Sequence, residues 1–166
     1  MKIQFIKTIV LGITLLGLMA CATKKGGSGR EDELGVGDTV RFYGTNVSPE
    51  QERQLLAQRT YYFGYDQFEV KEEDMLSLYA HAKRLIKSPR SRVRVAGHTD
   101  ERGSREYNIA LGERRGNAIA NILMLKGVNQ NQISVVSFGK EKPEELGSSE
   151  SAWARNRRAE IVYEVE

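Results

Sequence analysis

The 166-residue sequence is 28% charged, with 25 basic and 22 acidic residues, and it carries a single cysteine. One cysteine makes no internal bridge, so a disulfide-stapled scaffold is excluded. Residues 1–20 hold two lysines and no acid; setting them aside leaves 23 basic residues against 22 acidic, which removes the electrostatic case for a nucleic-acid partner.

Met1 to Ala20 has the make-up of a signal peptide. Lys2 and Lys7 mark a basic start, an apolar run follows from Ile9 to Leu18, and a small residue precedes Cys21. The run is too short for an ordinary membrane span. Leu18-Met19-Ala20-Cys21 resembles a bacterial lipobox, with methionine at the second position as a less usual choice. The resemblance implies cleavage before Cys21 and N-acyl and S-diacylglycerol lipid on it, and no other cofactor is expected. At about 0.8 kcal/mol per buried methylene, several acyl chains make a practically permanent anchor. Ala22, rather than aspartate, follows the cysteine, which by similarity to Gram-negative lipoprotein sorting implies the outer membrane.

Residues 21–58 are expected to form the lipidated N-terminus and a flexible linker. From Ala22 to Val47 the composition is Gly, Ser, Thr and mixed charge with no helical or strand period. Within it, Thr39-Val40-Arg41-Phe42-Tyr43 is suited to a short contact. Pro49 to Gln58 has helical character but little apolar face.

The globular domain is expected over residues 59–166. Tyr61, Phe63 and Tyr65 alternate as a core-facing strand would, ended by Asp66. Glu72 to Lys87 reads as an amphipathic helix burying Met75, Leu78, Ala82, Leu85 and Ile86, with His81 on its surface. Its acids fall in the first turn and its bases in the last, as the helix dipole favours, and Ser88-Pro89 ends it. Val93 and Val95 share one strand face; Gly97 closes that strand, and His98 to Ser104 is a polar loop. The next helix runs through Leu125 and stops at Lys126-Gly127. Leu111, Ala118, Ile119 and Ile122 form its apolar stripe, and Arg115 lies in the middle of it. Ile133 to Phe138, apolar on both faces, suits a central strand. Trp153 is placed to close the following loop over the sheet. The last strand, Ala159 to Glu166, is expected to turn Ala159, Ile161, Tyr163 and Val165 inward and Arg158, Glu160, Glu164 and Glu166 outward. This order predicts an α/β (α+β) two-layer sandwich, a mixed four-stranded sheet with helices on one face.

Asp100, Glu101, Arg115 and, from the last loop, Arg157 converge on the strand-to-helix corner. A buried, unpaired arginine costs about 3–5 kcal/mol, so either the helix end overhangs a cleft or a carboxylate such as Asp100 faces Arg115. Three chemistries compete there. A metal site would draw on His98, Asp100 and Glu101, but with one nitrogen ligand it is poorly supplied, and no metal is expected. A glycosidase would pair carboxylates such as Asp100 and Glu106, yet nothing isolates two of them in an apolar pocket. The third is recognition of a ligand that is bound and not cut.

The run GHTDERGSREYN-IALGERRGNAI, with the later SFGKEKP and WARNRRAEIVY, resembles the OmpA-like peptidoglycan-binding domain, and within it the peptidoglycan-associated lipoprotein (Pal) family. The resemblance spans about Arg59 to Glu166. In that family an aspartate in the H-[TA]-D loop and an arginine fifteen residues later hold the diaminopimelate of the stem peptide, which carries over to Asp100 and Arg115. It also implies a rim from Tyr107 and Asn108, and a role for Arg157 either at the ligand or as a brace. The family's small residues are here Gly112 and Gly116, costing about 1 kcal/mol each in helix propensity relative to alanine unless they let the helix lie close on the sheet. The resemblance further implies a non-enzymatic outer-membrane lipoprotein of the Tol-Pal system. Such a protein binds peptidoglycan non-covalently, has TolB and other Tol proteins as partners, and supports envelope integrity and outer-membrane constriction during division.

Overall fold

The computed structural model describes residues 47–165. Cys21 and the Thr39–Tyr43 segment lie outside them. The elements in order are α1 (Pro49–Ala57), β1 (Thr60–Tyr62), α2 (Met75–Lys87), β2 (Arg92–His98), α3 (Arg105–Leu125), β3 (Ile133–Gly139), α4 (Glu150–Asn156) and β4 (Arg158–Val165).

The strands make one mixed sheet in the order β1-β4-β2-β3, with β2 and β3 parallel and β4 antiparallel to both β1 and β2. Leu78, Ala82 and Leu85 of α2 and Ile119 and Leu123 of α3 meet Val93, Val95, Ala159 and Ile161 of the two central strands in a single core. That is the expected α+β two-layer sandwich.

Two glycines govern how close α3 comes to the sheet. A Cβ added at Gly97 of β2 would stand 1.8 Å from the backbone oxygen of Gly112. One added at Gly116 would stand 2.7 Å from Val135 Cγ1. The propensity lost in the helix is therefore exchanged for close approach, backbone to backbone with β2 at Gly97 and onto the Val135 and Ser137 side chains of β3, and that approach sets the N-terminal half of α3 against the end of β2.

Several local expectations change. β3 is an edge strand, because β4 returns to the other side of β2. Its second apolar face is covered by side chains instead: Phe138 stacks on His98 at 5.3 Å and carries Lys142 Nζ 3.9 Å above its ring. The domain also reaches further toward the N-terminus than Arg59. Ser48 caps α1 in a reciprocal box with Gln51, and Ser77 Oγ of α2 donates to the Leu55 carbonyl at 2.9 Å. His81, expected at the helix surface, has 0% exposure. Its Nε2 donates to the Gln58 carbonyl and its Nδ1 accepts from the Tyr163 hydroxyl, both at 2.9 Å. Gln58, just past the end of α1, and Tyr163 of β4 supply the partners that no single-helix period reveals. Arg158, expected outward, is buried beneath Glu144 and Glu160.

Candidate functional site

The cleft forms where the end of β2, the loop behind it and the start of α3 face the segment after β1. Ser104 caps α3 by accepting from Tyr107 N at 3.1 Å. Gly103, at φ +93°, makes the left-handed turn before it. Asn108, buried on the first turns of α3, donates from Nδ2 to the Arg102 carbonyl at 2.8 Å and the Ser104 carbonyl at 3.0 Å. It lines the cleft and also fastens the loop. Opposite, Asp66 holds the left-handed φ of 56° and accepts from the Tyr107 hydroxyl. Between these walls is a cleft of about 90 Å³, with Asp100, Arg102, Tyr65, Asp66, Tyr107 and Arg115 among its lining residues.

Asp100 and Arg115 both line this cleft, but they are not bonded to one another. Arg115, with 0% exposure, is held by three backbone carbonyls. Nε donates to Gln67 O at 2.8 Å, Nη1 to His98 O at 2.7 Å and Nη2 to Gly64 O at 3.1 Å. Burial pulls its guanidinium down to about 10, opposed by the nearby Asp100 charge, so it stays a cation at neutral pH. Of the two alternatives left open by the sequence, a cleft beneath the helix end or a facing carboxylate, the first is found, with carbonyls of the turn after β1 and of β2 as the partners of Arg115. This resolves the position of Arg115 on an apolar stripe, since carbonyls leave no second charge to bury.

Asp100 takes a different partner. Its Oδ1 accepts from Arg102 N and Nε, both at 3.1 Å, and its Oδ2 from Arg102 Nη2 at 2.6 Å. Burial pushes its carboxyl up, but the Arg102 hydrogen bonds and charge outweigh this and hold it below the usual carboxylate range. Arg157 stands behind it, with Nη1 3.5 Å from Asp100 Oδ2, Nη2 paired with Glu150 at 2.7 Å and Nε donating to Phe63 O at 3.1 Å. Those contacts make Arg157 a brace of the corner. Glu101 turns away from the cleft and accepts from Trp153 Nε1 at 3.1 Å, so Trp153 closes over the loop rather than over the sheet.

The other sequence candidates part company. His98 is buried on the opposite side of β2, against Phe138 and the Lys142 carbonyl, and Glu106 is exposed at the start of α3. Neither joins Asp100 in the cleft. Among the described residues no group of three potential metal ligands assembles. Sequence reasoning missed Arg102, Tyr65 and Asp66. The alternation of Tyr61, Phe63 and Tyr65 predicts a core strand, yet β1 ends at Tyr62 and Tyr65 is 63% exposed at the cleft mouth. A signal for Arg102 existed: a base two residues past an acid in a turn is within reach of its carboxylate.

The OmpA family model matches residues 62–157, more than half of the chain. The chain belongs to the OmpA family. Within that family it groups with the peptidoglycan-associated lipoproteins. The protein of that name from Pseudomonas aeruginosa is 42% identical over 164 residues, covering 96% of this chain and 97% of the relative. The one from Haemophilus influenzae is 39% identical over 160 residues, covering 96% and 99%. Among solved structures, the peptidoglycan-associated lipoprotein of Burkholderia pseudomallei is 44% identical with a TM-score of 0.65, covering 66% of this chain and 93% of that one. The C-terminal domain of Helicobacter pylori MotB is 26% identical with a TM-score of 0.59, covering 64% and 84%. In this OmpA-family chain the matched region contains the loop from His98 to Ser104, the first turns of α3 and the segment after β1 with Tyr65 and Asp66, which together build the cleft.

Proposed function

We propose that this protein is an outer-membrane lipoprotein that grips peptidoglycan non-covalently through the diaminopimelate of its stem peptide. The observation that carries the reading is one cleft with an anion and a cation side by side that do not neutralise each other. Diaminopimelate ends in an ammonium and a carboxylate. Asp100 accepts from the ammonium, and Arg115, with three of its five N–H groups on carbonyls, has two left for the carboxylate. Each such charge-assisted bond is worth about 1.5–3 kcal/mol. Tyr107, held by Asp66, forms the rim, while Asn108 and Arg157 position the loop and the corner. The protein holds the polymer without cutting it. An acid catalyst needs a raised pKa, and Asp100 is held low by Arg102.

The membrane half of the proposal rests on Cys21. Acylated there, the chain is anchored by lipid in the outer membrane, with the domain in the periplasm and residues 22–47 giving reach. Mass spectrometry of the mature protein is expected to find an N-terminal Cys21 carrying N-acyl and S-diacylglycerol groups. An unmodified cysteine contradicts it. Family resemblance supports the Tol system as partner, TolB first, in coupling the envelope layers during division, which a pull-down with TolB tests. For the cleft, the test is calorimetric titration with a soluble stem peptide ending in diaminopimelate. Asp100→Ala is expected to weaken binding about 10- to 150-fold; unchanged affinity in a folded variant removes Asp100 from the site.

A further inference from the structure

Arg102 is the second guanidinium that lines the cleft. Its side chain is about a third exposed (30%), yet three separate constraints fix it. Nε and Nη2 engage both oxygens of Asp100 as a fork. Its guanidinium carbon lies 4.1 Å from the centre of the Tyr65 ring and 4.0 Å from that of Trp153, so the group is stacked between two aromatic faces. Trp153 is itself tied to Glu101. Arg102 therefore sits on the carboxylate that the proposed ligand's ammonium needs.

We infer that Arg102 is a specificity-determining residue of the cleft: it holds Asp100, gives it up to the ligand's ammonium, and then joins Arg115 on the ligand's carboxylate. This inference rests on the diaminopimelate reading above. A ligand carrying an ammonium alone exchanges one cation on Asp100 for another and gains little, while the released guanidinium loses its anion. A ligand carrying both groups brings a carboxylate to the same place, so Asp100 and Arg102 each keep a partner. The exchange does not uncover Asp100 completely, because the Arg102 backbone N–H still donates to Oδ1 and Arg157 Nη1 remains 3.5 Å from Oδ2. Arg102 also has somewhere to go: the Tyr65 and Trp153 rings form a slot along which a planar guanidinium slides while keeping its stacking. Arg115 cannot provide this discrimination in the same way, since its position is set by three carbonyls whether or not Asp100 is occupied.

The test uses two soluble stem peptides, one ending in diaminopimelate and one ending in lysine, which is diaminopimelate without one carboxylate. Dissociation constants for both are measured on the wild-type protein and on Arg102→Met. The wild type is expected to prefer the diaminopimelate peptide. In Arg102→Met that preference is expected to shrink by about tenfold or more, mainly through tighter binding of the lysine peptide, tenfold being the equivalent of one charge-assisted bond. Trp153 is the single tryptophan of the chain, so its emission reports the stacked guanidinium directly. A change that saturates with the diaminopimelate peptide is expected in the wild type, and a flat signal in Arg102→Met. A preference that stays within about twofold of wild type in folded Arg102→Met overturns the inference. Should that variant not fold, Arg102→Lys keeps the charge but loses the fork, and an unchanged preference there overturns it equally. If the wild type binds neither peptide, the diaminopimelate reading fails and takes this inference with it. If it binds the first and Arg102 changes nothing, only this inference fails.

Discussion

Arg115→Ala separates a carbonyl-held arginine from one that is half of an ion pair. The substitution removes charged donors from the carbonyls of Gln67, His98 and Gly64. A hydrogen bond to a charged group contributes about 1.5–3 kcal/mol. Gly64 O retains the Gln67 amide at 3.3 Å as a second donor, so its loss is the smallest of the three. Two full losses at that rate come to about 3–6 kcal/mol, and the partial loss adds to them, a large share of a typical domain's stability. The assay is urea unfolding of wild type, Arg115→Ala, Asp100→Ala and the double variant. Because Asp100 is bonded to Arg102 and not to Arg115, removing it as well is expected to recover none of the stability that Arg115→Ala loses. A double variant that regains most of the loss would mean a buried ion pair, and it would refute the carbonyl-held arrangement.

Other consequences are open to measurement in the same way. Gly97→Ala drives a Cβ to 1.8 Å from a backbone oxygen of α3, so helix and sheet must part. A loss of about 3 kcal/mol is expected by urea midpoint, at the upper end of overpacking costs, and a midpoint within 0.5 kcal/mol of wild type (about the scatter of a surface change) contradicts the close contact. Stability is also expected to fall with acidification. His98 is pulled down to about 4 by burial and by Arg158, so its contribution is complete above its unfolded pKa near 6.5 and is lost as pH drops toward 4. The span corresponds to about 3 kcal/mol. His81, lowered mainly by burial, adds to the same slope, so the check is the difference between wild type and His98→Gln across pH 4–7. Equal slopes in the two proteins contradict a buried neutral His98.

How much of this was legible beforehand differs from element to element. The long helix α3 showed itself through its period and its C-terminal glycine, and β2 and β4 through alternation, because each buries one face against the core. His81 did not, because its partners are Gln58, just past the end of α1, and Tyr163 of β4; the stitching to α1 runs through side-chain bonds to backbone carbonyls at Leu55 and Gln58. β3 reads as central because both its faces are apolar, yet edge or centre is decided by where β4 returns, which no local pattern states. In the site, Arg115 on an apolar stripe and Asp100 after β2 pointed to one corner, and the family resemblance, with its fifteen-residue spacing, implied that the two act together. Their actual partners were not readable, since carbonyl acceptors belong to the backbone and leave no mark in the sequence. Arg102 was overlooked for a related reason: an arginine in a polar turn looks solvated until Tyr65, from the segment after β1, and Trp153, from α4, stack on it.

The central claim, that the domain grips peptidoglycan through the diaminopimelate end of its stem peptide, is tested most directly by co-sedimentation of the purified lipid-free protein with peptidoglycan sacculi. The protein is expected to pellet with sacculi, to be released by a soluble diaminopimelate stem peptide and not by its lysine counterpart at the same concentration, and to stay in the supernatant when Asp100→Ala is introduced. A folded wild-type protein that remains in the supernatant, or one that pellets equally well with Asp100→Ala and with excess diaminopimelate peptide, would contradict the account.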